Sequence, residues 1–264
     1  MSTLPTIYLP HGGGPCFFMD WSPPDAWTPM ADYLRSIPAS LPETPKALLV
    51  VSGHWEEDLP TVLSAPKPAL YYDYSGFPPH TYTLQWPAPG APALADRVLG
   101  LLGKAGIPAA ARADRGFDHG VFIPLKVAFP TANVPTLQLS LQAGLDPAVH
   151  QAIGRALAPL RDEGVLILGS GMSFHNMRMF NQAEALPVSR TFDTWLEDAV
   201  QSPRDERTDL LNRWWRAPAG REAHPREEHL MPLMVVAGAA QEDRGHVAFR
   251  DTVMGAVVSA VRFG

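Results

Sequence analysis

A single cysteine, Cys16, in 264 residues excludes an internal disulfide and every thiolate-rich zinc or iron–sulfur site. Any metal held by this chain must therefore be taken by imidazole and oxygen. No apolar run approaches the roughly 20 residues that span a bilayer. The first residues reach a strand pattern by Thr6 without a basic stretch followed by a long apolar one. Together these absences point to a cytoplasmic protein without a membrane partner. An excess of positive charge is missing too: 21 basic residues against 27 acidic ones leave a net charge of −6, which argues against nucleic acid as a partner. Internal repeats, low-complexity tracts and dividing linkers are absent, so residues 1–264 read as one domain.

Proline is abundant instead, with 28 residues, several of them clustered in Trp21-Ser22-Pro23-Pro24, Gly76-Phe77-Pro78-Pro79 and Trp86-Pro87-Ala88-Pro89. Proline fixes φ and removes a donor, so these stretches should be ordered, irregular loops. Their interleaved aromatics, among them Trp21, Trp27, Tyr72, Tyr74 and Phe77, either wall an apolar pocket or pin the loops to the core.

Short apolar runs at Thr6–Leu9, Ala47–Ser52, Thr136–Ser140 and Val165–Gly169 are expected to be strands buried on both faces, and Gly255–Phe263 a closing strand. Apolar spacing predicts helices over Ala91–Lys104, Val121–Phe129, Pro147–Arg161, Arg190–Val200, Arg204–Trp215 and Glu227–Ala240. Such alternation implies an α/β three-layer sandwich: a mainly parallel or mixed central sheet with helices on both faces.

Against this background, five of the nine histidines stand beside glycine or small residues at strand ends or helix starts: His11, His54, His119, His175 and His229. Open α/β sheets bind ligands at that edge, and histidine is both the commonest metal ligand and the proton carrier of neutral pH. The set therefore suggests a metal centre with an acid/base partner. Glu56 and Glu57 could compete with His54 as oxygen ligands, and His224 could replace His229.

The segments Leu9-Pro10-His11-Gly12-Gly13-Gly14-Pro15, Val51-Ser52-Gly53-His54-Trp55, Tyr74-Ser75-Gly76-Phe77-Pro78, Gly116-Phe117-Asp118-His119-Gly120, Pro135–Ser140, Gly169–Asn176 and Glu228–Leu233 run in order through nearly the whole chain. In that order they resemble the class III extradiol ring-cleavage dioxygenases, in the branch similar to DOPA 4,5-dioxygenase. The resemblance implies a divalent metal held by His11, His54 and His229, with His119 and His175 for acid/base work. Related zinc proteins bring the histidine matching His175 to the metal as a fourth ligand, so His175 is a candidate for both roles. More distant members use a glutamate as third ligand, which draws attention to Glu228. Fe(II) is the ion expected for activity, with Zn(II) as an alternative bound ion. The implied substrates are a catechol and O2, and the implied product is a semialdehyde acid. Homo-oligomerisation is left open. His11-Gly12-Gly13-Gly14-Pro15 departs from the Gly-His-Gly-Ser-Pro form of many relatives, which bears on pocket shape.

Two other readings compete. A zinc hydrolase could use the same histidines to activate water, and a non-catalytic metal-binding relative could keep the site without turnover. A serine esterase would need a Gly-x-Ser-x-Gly elbow, which the chain lacks. Arg178, Tyr72 and Trp21 are candidate contacts for a substituent on the substrate ring.

Overall fold

The computed structural model describes residues 2–264. The strands are β1 Thr6–Pro10, β2 Ala47–Glu57, β3 Thr61–Leu63, β4 Ala110–Arg112, β5 Thr136–Gln142, β6 Val165–Gly171, β7 Gly245–Val253 and β8 Ala256–Phe263. The helices are α1 Thr28–Ser40, α2 Pro92–Lys104, α3 His119–Ala128, α4 Pro147–Leu157, α5 Ala185–Gln201, α6 Arg204–Asn212, α7 Gly220–Ala223 and α8 Met231–Ala239. Among the described residues the strands form one sheet in the order β4-β3-β5-β2-β6-β1-β8-β7.

Its centre, β5-β2-β6-β1, is parallel throughout. The C-terminal hairpin β7–β8 joins antiparallel to β1, and β3 pairs antiparallel with β5, so the sheet is mixed. Parallel strands need cover on both faces. Alternate residues accordingly feed two separate cores. Leu48, Val50, Leu166 and Leu168 lie in the core that includes residues of α1 and α3. Leu49, Val51 and Ile167 lie in the core that includes residues of α2, α4, α5 and α8. This is the three-layer sandwich expected from the strand–helix alternation. Truncating one fully buried leucine of the central strands to alanine typically costs about 2–5 kcal/mol.

Local chemistry sets several boundaries. Asp146 caps α4 by accepting from the backbone N–H groups of Ala148 and Val149, with Pro147 in the first turn. Helix α8 is apolar all round and wholly buried, as a helix enclosed by its neighbours must be.

Five sequence expectations need correction. Strand β2 does not stop at Ser52 but continues to Glu57, so His54 lies inside it. The predicted helix Glu227–Ala240 begins only at Met231, leaving His229 in the preceding turn. Residues Ala158–Arg161 form a 3₁₀ turn after α4, where Pro159 interrupts the ladder. Trp214–Arg216 is likewise a 3₁₀ turn beyond α6. Helices α1 and α7 and the strands β3, β4 and β7 were not anticipated: β3 and β4 are three residues long, and β7 is exposed or half-buried between its buried ends Gly245 and Val253.

Candidate metal centre

The histidines gather where the parallel strands end. His11 directly follows β1, and its backbone N–H continues the ladder by donating to Gly171 O at 3.1 Å. The turn after it uses Gly12 at φ +81°, a conformation natural to glycine. His54 is delivered by an irregularity in β2: between Val51 and Glu56 the register with β5 slips, from Val51 opposite Leu139 to Glu56 opposite Leu141. Bulges re-aim side chains in this way.

His229 arrives from the far end of the sequence and is clamped through its carbonyl, which accepts from Tyr8 Oη at 2.6 Å and from Met172 N at 3.2 Å. That approach requires Gly171, where an added Cβ would stand 2.0 Å from His229 O. Gly171→Ala is therefore expected to displace the 228–229 turn, costing about 1–3 kcal/mol or more in stability and weakening metal uptake. Urea midpoints and metal titration check this, and wild-type values for both would contradict it.

His54 Nε2 lies 3.2 Å from His11 Nε2 and 3.2 Å from His229 Nε2. Within this trio one ligand atom from each residue falls within 4.8 Å of the others. The tautomers follow from the partners on the opposite ring nitrogens. Gly12 O, which can only accept, lies 2.8 Å from His11 Nδ1. The Glu228 carboxylate lies 2.9 Å from His229 Nδ1. In both rings the proton sits on Nδ1 and Nε2 keeps its lone pair.

Burial first, then the neighbouring imidazoles, pushes His11 and His54 well below the ordinary histidine range. Burial likewise lowers His229, to about 4, against the opposing pull of Glu228. Neutral lone pairs facing one point are what a divalent ion needs. Tetrahedral bonds of about 2.0–2.1 Å set neighbouring nitrogens about 3.3 Å apart, close to the gaps seen here. The donor set thus fits a metal, and imidazole alone suits iron or zinc equally well.

Two carboxylates organise the surroundings. Asp73 Oδ1 accepts from the backbone N–H of His119 at 2.9 Å and lies 2.8 Å from its Nδ1. Its other oxygen is 3.7 Å from His54 Nδ1. Glu228 Oε1 lies 3.2 Å from His175 Nδ1 as well as facing His229. Burial opposes ionisation of Glu228, but its hydrogen bonds with His175 and His229 outweigh it and hold the carboxyl well below the usual range. His175 stacks on His229 with ring centroids 3.4 Å apart, and His119 sits 3.9 Å from the His54 ring.

Behind them, Asp118 is fully buried and accepts from Ser52 Oγ at 2.8 Å, from Arg115 at 3.0 Å and from Gln138. Arg115 also donates to His54 O at 3.1 Å, which ties down the irregular part of β2. Burial raises the Asp118 carboxyl and the charge of Asp73 adds to the rise, while those hydrogen bonds pull it back.

The structure brings His11, His54, His119, His175 and His229 into one cavity of about 460 Å³, walled largely by aromatic and methionine side chains. Trp21 lines it, but Tyr72 and Arg178 do not. Tyr72 instead donates its hydroxyl to Leu84 O, and Arg178 is exposed. Glu56 and Glu57 do not compete for the centre: Arg226 engages the first, and Trp55 and Arg112 the second. Asp73 was missed in the sequence, where its only signal is to be the acid in an aromatic loop.

His224 is enclosed between Phe192 and Trp214, with Nε2 2.9 Å from Ser173 O. Burial lowers it to about 3 from an ordinary value of 6.5. The unfolded chain takes up a proton here below pH about 6.5 and the folded chain does not. Metal-free protein should therefore lose about 1.4 kcal/mol per pH unit from this group as pH falls from that value towards the folded one. The lowered His11, His54 and His229 act in the same direction. Urea midpoints measured across that window check the prediction, and a flat profile would contradict it.

Comparison with known proteins shows the family. Residues 5–261 match the family described as the catalytic LigB subunit of aromatic ring-opening dioxygenase. The chain is 44% identical over 207 residues to 4,5-DOPA dioxygenase extradiol of Portulaca grandiflora, covering 76% of this chain and 75% of that protein. It is 33% identical to dioxygenase tasH of Hapsidospora irregularis over an alignment of 285 residues that covers 100% of this chain and 86% of the relative. The crystal structure of an uncharacterized Escherichia coli K12 protein superimposes with a TM-score of 0.78 at 29% identity, covering 99% of this chain and 100% of the other. The chain belongs to the class III extradiol ring-cleavage dioxygenases and is a ring-opening oxidoreductase of the branch that contains the 4,5-DOPA dioxygenases.

Proposed function

We propose that residues 1–264 form one cytoplasmic catalytic domain that opens a catechol ring with O2 to give a semialdehyde acid. The work would be done at a divalent metal held by His11, His54 and His229. The observation that carries this reading is the convergence of three imidazole Nε2 atoms, that of His54 lying 3.2 Å from each of the other two, at a cavity wide enough for an aromatic diol. When bound, the metal supplies positions for the diol and for O2 and, as iron, the redox change that zinc lacks.

The remaining chemistry falls to the chain. His175 accepts a proton from a catechol hydroxyl as the diol binds, and Glu228 at its Nδ1 stabilises the imidazolium that forms. We assign His175 to proton transfer rather than to the metal because its ring lies flat against that of His229. Asp73 fixes the His119 tautomer, so that Nε2 is free to take a proton and return it to the substrate oxygen as the ring opens. The apolar walls exclude water that would compete for those protons.

Protein reconstituted anaerobically with Fe(II), then given O2 and a panel of catechols, should consume O2 and form a yellow product, whereas the Zn(II) form should do neither. Ester hydrolysis by the Zn(II) form, with no O2 uptake by the Fe(II) form across the panel, would establish the hydrolase alternative instead.

A further inference from the structure

We propose that this site, read as above, takes catechols whose ring substituent is uncharged and apolar, in preference to the amino-acid or carboxylate-bearing catechols suggested by the names of its relatives. The cavity wall carries this inference. Among the described residues that line it, imidazoles apart, none is lysine, arginine, aspartate or glutamate. Away from the histidines the wall includes Trp21, Trp27, Phe77, Met177 and Phe180, with Ser75 as a polar member.

Two of its polar groups are engaged within the protein, whereas the Trp27 indole N–H is buried without a partner. Trp21 donates its indole N–H to Cys16 O at 2.8 Å, and the Tyr74 hydroxyl donates to Thr81 O at 2.6 Å. Both present ring surface rather than a free hydrogen-bonding group. A carboxylate or ammonium carried into such a wall would lose its hydration without meeting a lysine, arginine or carboxylate to pair with, a cost far above that of an alkyl or aryl group of the same size. The volume also exceeds that of the diol ring, which leaves room for a substituent beside the wall. Met177, 69% exposed at the rim, is flexible and polarizable, which suits variable apolar groups. The nearest basic residue in sequence, Arg178, is exposed and outside the wall.

The test compares 4-tert-butylcatechol with L-DOPA and 3,4-dihydroxybenzoate on the Fe(II)-loaded protein, by kcat/KM and by anaerobic calorimetric titration. The expected preference for 4-tert-butylcatechol is about 100-fold by both measures, unchanged in Arg178→Ala. A preference under about 10-fold, or one for either charged catechol that Arg178→Ala abolishes, overturns the proposal. Phe180→Arg places a cation in the wall and should raise kcat/KM for 3,4-dihydroxybenzoate about 10-fold while lowering that for 4-tert-butylcatechol. Far-ultraviolet circular dichroism confirms that this variant is folded, and a folded variant with an unaltered ratio counts against the proposal. The titration separates this inference from the ring-opening reading on which it rests. Apolar preference in binding without turnover would refute ring opening alone, and turnover with preference for charged catechols would refute this inference alone.

Discussion

His119→Ala should bind a full equivalent of metal and still lose turnover, with kcat falling about 100- to 10,000-fold, the usual range for removing a positioned acid/base group. The geometry separates the two effects. His119 is outside the trio formed by His11, His54 and His229, yet its ring lies 3.9 Å from that of His54 and it lines the same cavity. Metal analysis and steady-state O2 uptake on the same preparation decide the matter. Full activity in the variant would remove His119 from the chemistry, and loss of metal would make it a structural support of the centre.

Asp73→Asn refines this prediction, because it keeps the His119 ring but replaces the carboxylate against its Nδ1 and backbone N–H. A positioning role predicts a drop in kcat of about 10- to 100-fold with little change in KM. A fall confined to KM would place Asp73 in substrate binding instead.

The second large effect is the loss of the metal from His54→Ala. His54 Nε2 is the atom 3.2 Å from both of the other imidazole nitrogens, so its removal breaks both short gaps at once. Affinity should fall by more than the about 10- to 100-fold typical of residues behind the ligands, leaving substoichiometric metal after dialysis and activity at background. Glu228→Gln provides the comparison. It keeps all three imidazoles but weakens the acceptor facing His229 Nδ1 and His175 Nδ1, and should lie within that smaller range. Elemental analysis with competition against a chelator reads both variants. Retention of wild-type affinity by His54→Ala would exclude the trio as the metal site.

The strand–helix alternation was legible because buried parallel strands and amphipathic helices impose different apolar periods, and Leu48–Val51 and Leu166–Leu168 show the former plainly. The elements that escaped carried no such period: β3 and β4 are short pieces near one edge, and β7 mixes polar and apolar residues that are mostly exposed or half-buried, pairing with β8 at the sheet's other edge. The five histidines could be picked out because their small neighbours at strand ends are unusual for a packing residue. Asp73 could not, since nothing in Tyr71-Tyr72-Asp73-Tyr74 indicates that the carboxylate will reach His119, 46 positions further along.

By itself, the sequence determined the layered α/β architecture, the exclusion of thiolate ligands and the identity of the histidines, all of which depend on residue type and local spacing. The tertiary structure alone decided that His54 would sit inside an irregular strand, that His229 rather than His224 would face His54, and that Asp73 and Glu228 would orient the imidazoles. Those outcomes depend on close backbone approaches such as that of Gly171 to His229, and on which partner each ring nitrogen meets. Contacts between residues more than a hundred positions apart are fixed only when the sheet and its helices are packed together.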